Sequence, residues 1–315
     1  MNILERIHKL RDAGVVGINA RNRNYVMPHN PRKMYRFVDD KVYTKHLAEK
    51  ANIAVPKLYG LIKTVHESNS INEIIQDKKD FVIKPAHGSG GKGILVINDR
   101  RKELFLKPNN TAINATLVKH HVENILGGVY SLGGQVDQAI IEYRVKFDPI
   151  FNEISYQGVP DIRVLIYKGI PAMAMLRLPT QQSDGKANLH QGAVGVGVHL
   201  TTGITTYAVC KDRRISEHPD FGSILSGVQI PGWQDLLLLS ARCYELAPLG
   251  YLGVDIVLDA ELGPLVLELN ARPGLAIQIA NGAGLKHRLD AIDKIDTLPA
   301  SFEDRLSIIK SIAEH

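Results

Sequence analysis

The sequence predicts an α+β fold built mostly from antiparallel strands, on three observations. Strand-like runs dominate the middle of the chain, from Ala139 to Val198. A glycine-rich stretch, FVIKPAHGSGGKGILVI (Phe81–Ile97), is entered by one β-branched run and left by another, not by a helix. Late in the chain, GVDIVLDAELGPLVLELNARPG reads as a hairpin of two alternating strands.

The elements follow in order. Residues 2–12 read as a short helix stopped by Gly14, and a loop rich in Asn, Arg and Pro runs to about Pro31. Asp39 or Asp40 caps a helix that reaches about Ala51, where Asn52 and then Pro56 end it. A strand near Leu58–Val65 comes next. Ser70–Glu73 has the form of a capping box, opening a short helix before the strand at Phe81–Lys84. After the glycine loop and its exit strand, Ile113, Leu117, Val122, Ile125 and Leu126 fall at helical spacing. Strands at Ala139–Tyr143, Ile162–Tyr167, Pro171–Leu178 and Ala193–Val198 precede a long helix around Trp233–Ala247. Strands at Tyr251–Asp259 and Pro264–Leu269 and a C-terminal helix complete the chain.

With 315 residues, the chain has room for two or three lobes. Its 44% hydrophobic and 23% charged residues are ordinary for a globular protein. Cys210 and Cys243 have no metal-ligand spacing, and neither a leader nor an apolar run near membrane-spanning length is evident. These features predict a cytoplasmic protein with no membrane partner. The net charge of +5 is gathered early, in Arg21, Arg23, Arg32, Lys33, Arg36, Lys41 and Lys45. Such an arm suits nucleic acid or an anionic ligand. Aromatic content of 6% without arginine–aromatic interleaving argues against nucleic acid as the partner.

The glycine stretch contains G-x-G-x-x-G (Gly88, Gly90, Gly93), but no helix follows to receive a pyrophosphate, so it is not a dinucleotide fingerprint. Nor is it a Walker A loop. It is a hairpin tip with Lys84 on its entry strand, open to two readings: a flexible turn or a phosphate loop. In the late hairpin, burying both apolar sets on one side pairs Asp259 with Pro264 and sets Asp255 opposite Glu268, with Asn270 on the same face. Like charges across a ladder repel unless something offsets them. A hard cation would do so, unless the pair belongs to a solvated edge face.

These features together resemble the ATP-grasp superfamily, and within it the RimK-like α-L-glutamate ligases. The motifs are DK (Asp40-Lys41), VIKPAHGSGGKGI, IIEY (Ile140–Tyr143), DIRVLI, NLHQGA, GVDI and LELNARPGL, and the likeness covers roughly Asp40 to Ala283. The resemblance implies two α+β lobes with antiparallel sheets gripping ATP between them. It implies an N-terminal stub at 1–39, an N-lobe with the phosphate loop at 40–141 and a C-lobe with a metal site at 142–315. Lys41 and Lys84 become the ATP-phosphate lysines. Gly88, Ser89, Gly90, Gly91, Lys92 and Gly93 form the loop over the phosphates, and Glu142 and Tyr143 the hinge meeting adenine. Asp255, Glu268 and Asn270 become ligands of two Mg²⁺ ions, or of Mn²⁺ in their place. Arg163 and Arg177 bind the carboxylate and the phosphoryl group, and Asn188 contacts the reacting groups. A two-residue turn at Lys168-Gly169 would put the two arginines on opposite faces, a three-residue turn on one face.

The implied activity is ATP-dependent carboxylate–amine ligation through an acyl phosphate, on small-molecule or peptide carboxylates and amines, in a protein that can form homo-oligomers. A small-molecule kinase and a non-catalytic nucleotide or nucleic-acid-binding module are the alternatives. The sequence departs from the family pattern in three places. Only about 40 residues precede Lys41, Gln191 stands where NLHRGG has arginine, and the segment from Glu142 to Asp161 is longer, leaving Asp148, Glu153 and Asp161 as candidate ribose acids.

Overall fold

Short β-branched runs bounded by glycine and proline pair with their neighbours, and here the pairings between named strands are antiparallel. The computed structural model describes residues 2–313 apart from Ser89 and Asp212. The α+β architecture expected from the sequence is the one found. The chain forms two compact units, each with a core of its own.

One unit gathers Asp40–Lys45 and Val55–Lys146. Its strands are β1 (Leu58–Ile62), β2 (Phe81–Pro85), β3 (Leu95–Ile97), β4 (Asp99–Arg101), β5 (Leu104–Leu106), β6 (Ala112–Asn114) and β7 (Ala139–Glu142). They form a four-stranded sheet in the order β1-β7-β2-β3 and a small sheet β4-β5-β6. Alternation along β2 sends Phe81 and Ile83 into the core and leaves Val82 and Lys84 half-buried on the other face. Ile62, Ile97, Phe105, Val118, Val122 and Ile125 belong to the same core. Ile113, expected on a helix from its spacing, lies on β6, and the helix begins at Ala115 with Asn114 as its cap. The capping box at Ser70 does not form, because that hydroxyl bonds back to the Glu67 carbonyl inside a 3₁₀ turn.

The other unit gathers Met1–Asp39, His46–Ala54 and Phe147–His315. Its strands are β8 (Asp161–Tyr167), β9 (Ile170–Leu178), β10 (Val194–Val198), β11 (Thr205–Cys210), β12 (Arg213–Ile215), β13 (Tyr251–Asp259) and β14 (Gly263–Asn270). They make one sheet in the order β12-β11-β10-β9-β8-β13-β14. The helices Trp233–Leu246, Ala276–Asn281 and Phe302–Ala313 pack against it. No helix among the described residues is long and apolar enough to cross a membrane.

Residues 15–31 read as a loop because they show no apolar period. They fold instead into helical turns, Ile18–Arg21, a π-helical turn Asn22–Val26 and Met27–His29. The Tyr25 ring packs on Tyr167 and Tyr251, with centroids 5.6 and 6.2 Å away. Buried side-chain amides hold the segment to the sheet. Asn30 Nδ2 donates to the carbonyls of Tyr251 and Ala271, each at 2.7 Å, and its Oδ1 accepts from Tyr251 N–H at 2.9 Å. Gln278 clamps both main-chain groups of Val16 in the same way. Asn30→Ala would strand several buried polar groups at once and is expected to cost about 2–4 kcal/mol. Urea denaturation checks this, and a midpoint like that of the parent would show that the clamp is dispensable.

Candidate functional site

The first cluster belongs to the unit that carries the glycine loop. Asp40 caps the helix Lys41–Lys50 by accepting from Val42 and Tyr43 N–H, so Lys41 and Lys45 lie one turn apart on its surface. Lys41 Nζ donates to the Gly88 carbonyl at 2.7 Å. Pairing of Val82 with Glu142 brings β7 beside β2, and there Lys84 Nζ meets Glu142 Oε1 at 2.5 Å while Lys45 Nζ meets Oε2 at 2.7 Å. Lys45 also donates to the Pro56 carbonyl. Burial works to raise the Glu142 carboxyl, but Lys84 and Lys45 outweigh it and hold it below the usual carboxylate value. Glu142, expected at an adenine hinge, is here buried and bracketed by two lysines. Tyr143, beside it, donates its N–H to Lys57 O.

Within the loop, Gly90, Gly91 and Gly93 take positive φ of 65°, 75° and 76°. At Gly93 any Cβ would stand 2.5 Å from Cγ of Tyr130, so only glycine fits. Its carbonyl is 2.9 Å from Nε2 of His121 on the helix Ala115–Leu126. Lys92 is exposed, Gly88 is buried, and Ser89 lies outside the described residues.

A second cluster lies on the large sheet of the other unit. Asp161 pairs with Arg177 across β8 and β9, Arg163 with Asp255 across β8 and β13, and Asp255 with Glu268 across β13 and β14. Directly opposed residues share a face, so these side chains form one row across four adjacent strands. Two β-bulges make the row. The turn at Lys168-Gly169 has two residues, both at positive φ (48° and 79°), which unaided would put the arginines on opposite faces. A register shift between Leu165 and Ile166 returns Arg163 and Arg177 to one face. In the second hairpin Asp259 pairs with Gly263, not Pro264, and a shift between Asp255 and Ile256 restores the expected pairing of Asp255 with Glu268.

Arg163 grips Asp255 with two bonds, Nε to Oδ1 at 2.7 Å and Nη2 to Oδ2 at 2.6 Å. Arg177 Nη2 reaches the same Oδ2 at 2.7 Å, and its Nε donates to Asp161. Asp255 is only 2% exposed, on a strand buried along its whole length, so the solvated-face reading does not apply to it. Burial favours its neutral form, but Arg163 and Arg177 overcome that and hold the carboxyl far below the ordinary range. Asp161 goes the other way: burial pushes it up to about 7 against the pull of Arg177, with neighbouring Asp255 adding to the rise. Asn270 Nδ2 lies 3.4 Å from both Asp255 Oδ2 and Glu268 Oε1, so the three predicted metal ligands converge. No three His, Cys, Asp or Glu side chains cluster to hold a metal among the described residues. The set here is two carboxylates and an amide, all with hard oxygen donors of the kind Mg²⁺ takes.

The structure thus brings Lys41 and Lys84 to the glycine loop and its supporting acid, and Arg163, Arg177, Asp255, Glu268 and Asn270 to one face. Asn188 accepts from His190 N–H at 3.0 Å as the cap of a short turn. Of the candidate ribose acids, Asp148 caps a 3₁₀ turn, Glu153 is exposed and Asp161 belongs to the arginine cluster. Two members escaped the sequence reading. Lys45 was signalled by its spacing of four from Lys41, and the place of Asp161 in the arginine cluster by its spacing of two from Arg163.

A family model described as sugar-transfer associated ATP-grasp matches residues 20–294. The chain belongs to that family. The ATP-grasp superfamily suggested by the motifs therefore stands. Solved structures similar to this ATP-grasp chain include the ATP-grasp ligase PsnB complexed with minimal precursor, at 13% identity and TM-score 0.45 over 90% of this chain and 64% of that one. The D-cycloserine synthetase DcsG follows at 15% identity and TM-score 0.43, over 90% and 72%. The D-alanine–D-alanine ligase of Bacillus anthracis complexed with ATP is 14% identical at TM-score 0.44, over 89% and 66%. The chain thus spans just under two thirds of PsnB's length. A sequence search of curated proteins finds no match.

Proposed function

We propose that this ATP-grasp protein is an ATP-dependent carboxylate–amine ligase. The observation that carries the reading is that its charged groups are intact and ordered: lysines around a glycine loop in one unit, and an Asp–Glu–Asn set with two arginines on one sheet face in the other. A substrate carboxylate oxygen attacks the γ-phosphorus of ATP while the bond to the ADP oxygen breaks, leaving an acyl phosphate. An amine nitrogen then attacks the acyl carbon, the carbon–oxygen bond to phosphate breaks, and the amide forms with loss of the amine proton. Lys41, Lys84 and the loop N–H groups hold phosphate oxygens, and Arg163 and Arg177 offer planar forks to a carboxylate or phosphoryl group. Mg²⁺ held by Asp255, Glu268 and Asn270 would supply neutralising charge on the phosphates. No protein nucleophile is needed, since positioning and preorganised charge account for the chemistry. The RimK-like resemblance implies a glutamate substrate, and Gln191, standing where that pattern has arginine, weakens that implication.

The test is an ADP-release screen over amino acids and peptides, with mass spectrometry of the product. An amide is expected. A phosphoester would replace the ligase by a kinase, and nucleotide binding without ADP release from any pair would favour a binding module. In parallel, Lys41→Ala and Lys84→Ala should each weaken MgATP binding by about 10- to 150-fold, the loss of a charge-assisted contact worth roughly 1.5–3 kcal/mol. Calorimetric titrations with parental affinity in both variants would sink the lysine assignment.

A further inference from the structure

The register of β2 and β7 places Pro85 opposite Ala139, so His87 emerges beside Asp137 just before the glycine loop opens. Asp137 is 2% exposed, and its carboxylate is fully engaged. Its Oδ1 accepts from Gln138 N–H at 2.7 Å and from His87 N–H at 3.1 Å, with Oδ2 3.2 Å from that same His87 N–H. Oδ1 also lies 2.8 Å from His87 Nδ1. A buried acid tied to two main-chain N–H groups is a fixture of the fold. Its ring contact does something the main-chain contacts do not: it orients a side chain that stays 44% exposed. Nδ1 is the ring nitrogen that meets the carboxylate, which leaves Nε2 for another partner.

The next residue, Gly88, carries the carbonyl that Lys41 grips. The main-chain N–H of His87, the first at the loop's entry, is spent on Asp137, so position 87 can serve an anion only through its ring. We propose that His87 is a phosphate-binding residue of the loop, its Nε2–H donating to a phosphoryl oxygen of the nucleotide while Asp137 holds the ring in place. The inference rests on the ATP-binding reading above and adds to it a residue and its support. In the imidazolium form both ring nitrogens donate, one to each side, and the buried carboxylate offsets the charge. A histidine so held has little rotamer freedom left to lose on binding.

Two conservative substitutions separate this role from a purely structural one. In His87→Asn the amide reaches Asp137 in place of Nδ1 but presents nothing outward. In His87→Gln the terminal amide reaches the position of Nε2 but gives up the Nδ1 contact. Calorimetric titration of the whole chain with MgATP and with AMP, which lacks the β- and γ-phosphates, reads the difference. Expected are a loss of MgATP affinity of roughly 10-fold or more in His87→Ala and His87→Asn, substantial recovery in His87→Gln, and AMP affinity unchanged throughout. Parental MgATP affinity in His87→Ala, or recovery in His87→Asn but not His87→Gln, would overturn the proposal and leave His87 a clamp on the loop. Failure of the unmodified protein to bind MgATP would overturn the ATP-binding reading itself, and this inference with it.

Discussion

Glu142→Gln is expected to destabilise the unit that carries the glycine loop by about 3–5 kcal/mol at neutral pH, the range for breaking a buried ion pair by removing one partner. The reason is asymmetry. Lys84 and Lys45 approach the two oxygens of one carboxylate, and with side-chain exposures of 11% and 7% neither has water to fall back on. A neutral amide carries no charge and accepts through one oxygen only, so both ammonium groups would lose the carboxylate they share. The pH dependence fixes the sign. Lysine contacts hold the folded-state carboxyl below its ordinary 4.5, so the unfolded chain takes up the proton first as pH falls. The Glu142 contribution is thus fully present above that ordinary value and is lost as pH drops through the lower folded-state value. Unfolding midpoints of both proteins measured from pH 7 downward should differ most at neutrality and converge in strong acid. A gap that is absent at pH 7, or that widens towards acid, would contradict the bracket.

What the sequence told, and what it withheld, divides along physical lines. Alternation in Val254–Asp259 and Leu265–Asn270 located a hairpin because burial punishes any one-residue slip, and the same logic put Asp255 against Glu268. Alternation says nothing of bulges. The shift at Leu165/Ile166 and that at Asp255/Ile256 each insert one residue without changing composition, and each decides which side chains share a face. For the second hairpin the bulge cancels a one-residue difference at the turn, which is why an imperfect turn still led to the right pair. Partners supplied from far along the chain were equally silent. Nothing around Tyr25 or Asn30 announces helical turns held by amides and aromatic rings more than a hundred residues away. Nor does local pattern say that the charge on Asp255 is met by two guanidiniums, since that depends on a neighbouring hairpin. The three-stranded sheet β4-β5-β6 went unread because strands of three residues are too short to show a period.

Glu268→Gln is expected to lower turnover by about 10²–10³-fold, the range seen when one group acting on transition-state charge is removed, while MgATP affinity changes only a few-fold. Glu268 is a cleaner probe than its partner. Asp255 balances Arg163 and Arg177, so Asp255→Asn would leave two buried guanidiniums side by side and confound catalysis with folding. Glu268 is half-buried on the edge strand β14, and loss of its charge leaves that arginine network in place. Under the ligase reading it contributes a carboxylate to the metal site, where charge matters most to the phosphoryl group in transfer and less to the bound ground state. If Glu268 takes no part in a metal site, the substitution removes one of two like charges opposed across the ladder without touching the phosphoryl group. That alternative predicts parental turnover. One variant therefore separates the two, provided turnover is measured at limiting Mg²⁺ with the product identified by mass. Parental turnover there would take Glu268 out of the metal site. A fall that added Mg²⁺ partly reverses would show that the lost carboxylate had been holding the ion.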